Sequence, residues 1–546
     1  MTTVPFSRLP GMPRIFNAFC EDFQAVSSLY AYDPAYVDAA VAGRLDHLRG
    51  RGVDRGKITS ALLRHADRFG APDAVRNSIA TLNLPNAFVV IAGQQPGLFG
   101  GPLYTALKAI GVLKWAKALE ARIAGARFVP VFWLSAEDHD WSEIDHVFVL
   151  DAESKVRQWP YRPPDAGDRT PAFVPRTGGG ICAVIADGFA SLMQNDFVGG
   201  AKALIEECYA PEATFATAFG RLLTRWFGKH GLVVFDSSDA DVKELGAQLF
   251  EAELMNSATG AVIEATAKVK LAGFEAQVAE LEGERNLFLI EGGVREKIVA
   301  SGDGYTLKAS GRIISKDEMK RLLAERPALF SPNVVLRPLY QDTLFPVALF
   351  LGGPHEIAYF AQVAAAYSHH GMAPPVVTAR PSATLIDGRS AKILGELNLD
   401  AASAICNGAD TLTSAAISRL LPGDLEAKYA EFAKTNLDSL SALKRDVIAL
   451  DPTLASPMES LEAALLSHVK TVEKKVTQAY RQKNQQIVGK VARLRSLVCP
   501  NGTLQERTLS LLSFAARYGP DVVERIFERV QTNILAHQVI PIGEEV

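Results

Sequence analysis

Five short apolar runs limit what this chain can fold into. They lie at 88–93, 128–136, 232–236, 347–352 and 375–378, and each is too short for a buried helix. They carry β-branched or aromatic residues and stop at glycine, proline or acidic residues. Strands buried on both faces read as continuous apolar runs of this kind, whereas half-solvated strands alternate. An amphipathic stretch, 103–121, follows the first run at once and leads into the second, which makes a βαβ unit. The expected core is therefore α/β: a parallel sheet covered by helices on both faces.

Two stretches break that rhythm. Residues 151–190 contain WPYRPPDAGDRTPAFVPRTGGG, which reads as a Pro-, Gly- and Arg-rich insertion, and 283–330 hold short strands and a helix. The start of that helix, Ser315-Lys-Asp-Glu318, is a capping-box pattern. After residue 410 the texture changes again. Apolar residues at Tyr429, Phe432, Leu440, Leu443, Val447 and Leu450 form one stripe, which Asp451-Pro452 stops. Leu465, Val469, Val472, Val476, Ala479, Ile487, Val491, Leu494 and Val498 form a second, in alternating steps of three and four with one slip near Lys483. That spacing predicts an antiparallel coiled coil. The expected segments are core at 1–150, 191–282 and 331–410, connecting insertions at 151–190 and 283–330, coiled coil at 411–500, and a segment at 501–546 returning to the core. Thr503-Leu-Gln-Glu506 in that last segment looks like another capping box.

Composition excludes several classes. A net charge of −4 on 546 residues leaves no basic footprint for nucleic acid. No apolar run approaches the ~20 residues that cross a bilayer, and the N-terminus has no secretory pattern. The five cysteines are scattered and never spaced as C-x-x-C, so neither a disulfide framework nor a structural zinc site is expected. The expectation is a reduced, cytoplasmic protein.

Four motifs carry candidate chemistry. In VVIAGQQPGLFGGPLYTALK, a strand runs into Gly93 and a loop with Gly97, Gly100 and Gly101 precedes a helix bearing Lys108. Such a loop is either an anion or nucleotide site at a helix N-terminus or a tight structural turn. Gln94 and Gln95 stand at the strand's carboxyl end, where open α/β sheets bind ligands. In VPVFWLSAEDHDWSEIDH, apolar residues give way to Glu137, Asp138, His139 and Asp140. These could hold an amine or a metal, or form a solvated turn capping the next helix, and Asp138, His139 or Asp140 could take a proton. His139 and His146 do not match a known zinc spacing, and no metal site is expected. In SPNVVLRPLYQDTLFPVALFLGGPHEIAYFAQ, Glu356 and Tyr359 share a helix face, and Arg337 lies upstream; Tyr359 is either a site residue or core. Arg380, after the last strand, is a candidate clamp for carboxylate or phosphate. In CPNGTLQERTLSLLSFAARYG, Asn501, Gly502, Gln505 and Arg507 mark either a second anion site or a structural return.

At these four places, in this order and across essentially the whole chain, the sequence resembles the bacillithiol-biosynthesis BshC family of cysteine ligases. One departure is His355, where a small residue is expected. The resemblance implies a Rossmann-like core with two connecting insertions and a coiled coil used for homodimerisation. It implies joining L-cysteine to glucosaminyl-malate to form bacillithiol. Amide formation from a free carboxylate needs activation, for which ATP, with Mg at most as its companion, is the expected co-substrate. The glycine loop and the Asn501–Arg507 turn are then the candidate nucleotide sites, and Arg337 and Arg380 candidate partners for malate carboxylates. Two other readings stay open: a nucleotide-binding coiled-coil scaffold without catalysis, and another ATP-dependent amino-acid-activating enzyme.

Overall fold

The computed structural model describes residues 2–279, 281–418, 425–483 and 485–543. Parts of the expected segments at 1–150, 191–282, 411–500 and 501–546 fall outside these residues, as does Asn484 beside the expected coiled-coil slip. The described residues separate into two compact units: those within 1–385 together with 503–542, and those within 386–502 together with Gly543.

The first unit is built on a five-stranded sheet whose neighbours all run parallel. In space the order is Val233–Asp236, Arg127–Leu134, Ala87–Gln94, Val347–Gly352, Val376–Ala379. Numbered along the chain this is 3-2-1-4-5, the Rossmann arrangement, and its direction reverses between Ala87–Gln94 and Val347–Gly352. The strands fall where the apolar runs place them, because both faces are covered: all six residues of Val347–Gly352 are buried, as are seven of the eight in Ala87–Gln94. The helix Leu103–Arg122 is apolar nearly all round for the same reason.

Arg44 fastens the Val37–Arg49 helix to the edge of this sheet. Its guanidinium donates to the carbonyls of Val347 (2.9 Å), Ala373 (3.1 Å) and Pro374 (2.5 Å) and pairs with the buried Asp342 at 3.0 Å. The 283–330 insertion contributes four strands of an antiparallel sheet completed by Phe330–Pro332. In the 151–190 insertion, Val156–Pro160 pairs with His146–Leu150 and Gly180–Ala190 is helical.

Thr503-Leu-Gln-Glu506 is not a capping box. The Thr503 hydroxyl bonds the Thr508 hydroxyl, Leu504 is the N-cap, and Glu506 turns away to Arg380 and the Ala383 N–H. The final strand, His537–Pro541, lies between Thr2–Val4 and Ser382–Ile386.

In the second unit, helices Leu425–Leu450 and Ala455–Lys483 are joined by a turn in which the Asp451 carboxylate accepts from Thr453 N–H at 2.9 Å. Lys444 reaches Glu462 (3.2 Å) and Glu459 (3.6 Å) on the second helix, so the pair runs antiparallel.

His537 gives the fold a pH dependence. Its ring is fully buried, with Nδ1 2.7 Å from the Ser382 hydroxyl and Nε2 2.8 Å from that of Thr384. Burial pushes its pKa down to about 4, against the pull of Glu506. The native ring thus stays neutral while the unfolded ring takes a proton below about 6.5. Stability is full above that value and falls as pH drops toward 4, by up to about 3 kcal/mol from this group. Urea unfolding at pH 7 and pH 4.5 should show a smaller loss in His537→Gln than in the wild type; equal losses would assign the acid sensitivity to other groups.

Candidate functional site

A cavity of about 890 Å³ opens at the carboxyl edge of the parallel sheet, at the point where the strand order reverses. Its size lies within the range of small-molecule sites. It has a cationic end and an acidic end.

The cationic end gathers around the helix Pro354–His369. Gly353 is its N-cap, and Glu356 turns back to accept from the Gly353 N–H at 2.8 Å. Lys108 comes from the Leu103–Arg122 helix, and its ammonium is enclosed by the Gly93 carbonyl (2.6 Å), Gln94 Oε1 (3.0 Å) and Glu356 Oε2 (2.5 Å). Burial alone would raise the Glu356 carboxyl, but Lys108 and Arg337 hold it below the usual carboxylate range. Arg337 donates to the Tyr359 hydroxyl and lies 4.0 Å from Glu356. Arg380 and Arg507 complete this end.

The acidic end follows the Arg127–Leu134 strand. Asp138 Oδ1 accepts from the His139 N–H at 2.7 Å. Glu137 is buried and paired with the equally buried Lys243 at 2.5 Å. Asp140 is exposed at the mouth, where it accepts from the Ser142 hydroxyl. Partial desolvation, with Asp140 and Asp138 nearby, pushes the Glu143 carboxyl up, against the hydrogen bond it accepts from Gln95. Burial, and then Arg295, hold the His139 ring below its ordinary value, while Asp138 and Asp140 pull the other way.

Gln94 and Gln95 join the two ends. Gln94 accepts from Lys108 and donates to Gln95 Oε1 at 2.6 Å; Gln95 then donates to Asp138 Oδ2 (3.1 Å) and Glu143 Oε2 (2.8 Å). A continuous hydrogen-bond chain thus crosses the cavity from its lysine to its carboxylates.

The structure brings together Gly93, Gln94, Gln95, Lys108, Glu137, Asp138, His139, Asp140, Arg337, Glu356, Tyr359, Arg380 and Arg507. It does not bring in the rest of the glycine loop. A Cβ on Gly97 would meet Gly101 Cα at 2.8 Å, and one on Gly100 would meet the Trp226 ring at 2.6 Å. Gly100 and Gly101 also have positive φ, which glycine adopts without strain. At the helix start, Leu103 N–H is taken by the Leu509 carbonyl at 2.7 Å and Thr105 N–H by Pro102. These glycines therefore form a packed turn rather than an open anion cradle.

Gln505 is also committed: its amide accepts from Leu385 N–H (2.7 Å) and donates to Leu385 carbonyl (3.0 Å). Asn501 and Gly502 are exposed, with positive φ, in the second unit, and the helix that follows is the single turn Gln505–Thr508. Arg380 is not a free clamp. Its two terminal nitrogens donate to Glu506 and to the Pro381 carbonyl, both at 2.7 Å.

Sequence reasoning missed Glu143, Arg295, Lys297 and Tyr104, all of which line the cavity. Glu143 stood in the acidic motif already singled out. Arg295 and Lys297 lie on the Val294–Ser301 strand of the 283–330 insertion, where alternating charged residues read as a solvated face. His355, the departure from the expected motif, reaches Gln277 Oε1 with Nδ1 at 2.9 Å. Among the described residues no group of three or more His, Cys, Asp or Glu side chains is arranged to hold a metal ion.

Comparison with known proteins decides the family. The model described as the bacillithiol biosynthesis BshC N-terminal Rossmann-like domain matches residues 2–381, and that of the BshC C-terminal coiled-coil domain matches 383–542. The chain belongs to the BshC family. A relative from Salinibacter ruber is 32% identical, covering 98% of this chain and 97% of its own. One from Koribacter versatilis is 30% identical with 97% of each covered, and one from Chlorobaculum tepidum is 26% identical with 95% of each covered. All three carry the name "Putative cysteine ligase BshC", so the family is one of ligases by name. The cavity uses residues from all four BshC-like sequence motifs, with Arg507 the contribution of the last.

The Lys108–Glu356 pair is testable by itself. Lys108→Met leaves a buried carboxylate without its cation and should cost about 3–5 kcal/mol, while adding Glu356→Gln should return much of that loss. Chemical denaturation of the single and double variants measures both; additive losses would mean that the two side chains are not coupled.

Proposed function

We propose that this cavity joins the carboxyl group of L-cysteine to the amine of glucosaminyl-malate, forming bacillithiol, with ATP as co-substrate. The observation that carries the reading is the bipolar cavity, cationic and acidic ends linked through Gln94 and Gln95. An amide ligation needs both ends. Carboxylate and phosphate charges need cations, and the attacking amine, an ammonium at neutral pH, must give up a proton.

Arg337 and Arg507, beside the start of the Pro354–His369 helix, fit an anionic group by charge, while Lys108 neutralises Glu356 beneath them. ATP, when bound, supplies the phosphoryl or adenylyl group that turns a carboxylate oxygen into a leaving group. The chain's own residues orient the reactants and receive the proton. Asp138 and Glu143, both held by Gln95, are the acceptors, since His139 Nδ1 already faces Arg295. A scaffold without catalysis would have no use for this gathering of carboxylates, and an enzyme activating a different amino acid would differ in the acceptor it takes.

The same reading includes a cytoplasmic setting and a homodimer formed through the coiled coil. None of the five cysteines forms a disulfide, and no described helix is long and apolar enough to cross a membrane. Phe432, Leu443, Leu461 and Val472 are exposed apolar side chains on the helical pair, a surface suited to a second copy.

Purified protein incubated with ATP, cysteine and glucosaminyl-malate should form bacillithiol by mass spectrometry, with AMP or ADP identifying the activated species. Asp138→Asn should lower kcat by about 10²–10⁴ without shifting the melting temperature. Normal turnover in that variant would remove Asp138 from the reaction. Replacing residues 425–498 by a Gly-Ser linker should give a monomer by light scattering; a persisting dimer would place the contact elsewhere.

A further inference from the structure

We propose that His139 acts as a hydrogen-bond donor to the developing oxyanion rather than as a base, and that Arg295 is the positioning residue that fixes its proton on Nε2. The proposal rests on the amide-ligation reading above and assigns the groups within it.

Arg295 enters the cavity from the Val294–Ser301 strand, far in sequence from His139. Its guanidinium is buried and held on several sides. Nε donates to the Ser331 hydroxyl at 3.1 Å, Nη2 donates to the Pro332 carbonyl at 2.9 Å, and the group lies 3.9 Å from the centre of the Phe288 ring. Nη1 lies 3.2 Å from His139 Nδ1 and 3.8 Å from Asp138 Oδ1.

A guanidinium has only donors and keeps its proton in proteins. Asp138 Oδ1, an acceptor, lies 4.0 Å from the same Nδ1, beyond hydrogen-bond reach, so the guanidinium at 3.2 Å is the contact that sets the tautomer and the nitrogen facing it presents a lone pair. A neutral imidazole whose lone pair is on Nδ1 carries its hydrogen on Nε2. Nε2 has no protein partner among the described residues, and His139 lines the cavity beside Asp138. The charged groups facing the ring are Arg295 and Arg169, which disfavour the cation, and Asp138 and Asp140, which favour it; burial sides with the arginines. To act as base through Nε2, the ring would have to move its hydrogen to Nδ1, directly against the guanidinium.

The step then balances as follows. The amine lone pair forms the C–N bond at the activated carboxyl carbon, and the carbonyl electron pair moves onto oxygen, where Nε2–H stabilises it. That pair returns as the C–O bond to the phosphoryl or adenylyl leaving group breaks, and the amine proton passes to the Asp138–Glu143 carboxylates. A donor placed in advance at such an oxygen is worth about 10²–10³ in kcat.

The test uses the full-length protein labelled with ¹⁵N-histidine. The ring-nitrogen shifts of His139 should report hydrogen on Nε2 in the wild type. Arg295→Lys, which can also only donate, should keep that tautomer. Arg295→Met should give a mixture and move the His139 titration to higher pH. His139→Gln places an amide N–H near the Nε2 position and cannot accept the proton; it should keep most of the turnover that His139→Ala loses by about 100-fold or more. Hydrogen on Nδ1 in the wild type, or His139→Gln as inactive as His139→Ala, would overturn the proposal. Should Arg295→Met not fold, the wild-type spectrum and the His139 pair still decide it. A wild-type protein that forms no amide would reject the ligation reading, whereas the tautomer is read without substrate.

Discussion

Everything at the site depends on one feature of the sheet, the reversal of strand order between Ala87–Gln94 and Val347–Gly352. Chain leaving these two neighbouring strands must turn to opposite faces, so their carboxyl ends diverge and a crevice is left. Lys108 and Glu356, one from the helix after each strand, meet across it at 2.5 Å. Burying two charges costs several kcal/mol each, and their attraction recovers that only with further hydrogen bonds. Those bonds are present on both partners: the Gly93 carbonyl and Gln94 on the lysine, the Gly353 N–H on the carboxylate. A hydrophobic pair of similar volume would serve stability as well or better, so the ion pair is better explained by the polar surface it gives the cavity.

The second buried pair, Lys243–Glu137, repeats the device beneath the acidic end, with Lys243 also donating to the Phe330 carbonyl at 3.0 Å. Burial depresses the Lys243 ammonium, and Glu137 offsets only part of that depression. Each end of the cavity thus rests on a neutralised pair, while Asp138, Glu143 and Arg337 above them remain turned toward the open space. Gln94 and Gln95 can link the ends because a side-chain amide both donates and accepts. Carboxylates at either position would have placed like charge against Asp138 or Glu356.

The sheet was legible because burial on both faces removes alternation, leaving runs such as AFVVIAG that only a central parallel strand accounts for. The acidic cluster was legible because charge begins abruptly where the Arg127–Leu134 strand ends. The glycine loop misled for a physical reason: glycine signals that something approaches the backbone closely, but not what. At Gly100 it is Trp226, and at Gly97 it is Gly101. Gln505 misled likewise, since a polar side chain after a turn looks available until the backbone of Leu385 is found against it. Arg295 carried no local signal at all. Its role comes from the 283–330 insertion folding over the sheet edge, a long-range event that periodicity does not encode.

The return of the chain after the helical unit explains why a long coiled coil can be inserted here without loosening the core. The BshC coiled-coil model spans 383–542, yet Thr503–Ile542 packs with the first unit. Gln505 takes both backbone groups of Leu385, and Glu506 takes Arg380 and the Ala383 N–H, so the chain is fastened immediately before the insertion leaves and immediately after it comes back. The entropic cost of closing a loop grows only with the logarithm of its length, so two closely held ends make a large insertion nearly as tolerable as a small one. The same fastening reaches the site. Leu509 accepts from Leu103 N–H and thereby satisfies the start of the helix that carries Lys108, while Glu506 holds Arg380 at the cavity wall. Residues separated from the Rossmann-like core by the whole coiled coil are therefore needed to complete it, which accounts for a family resemblance that runs through the last motif rather than ending with the last strand of the sheet.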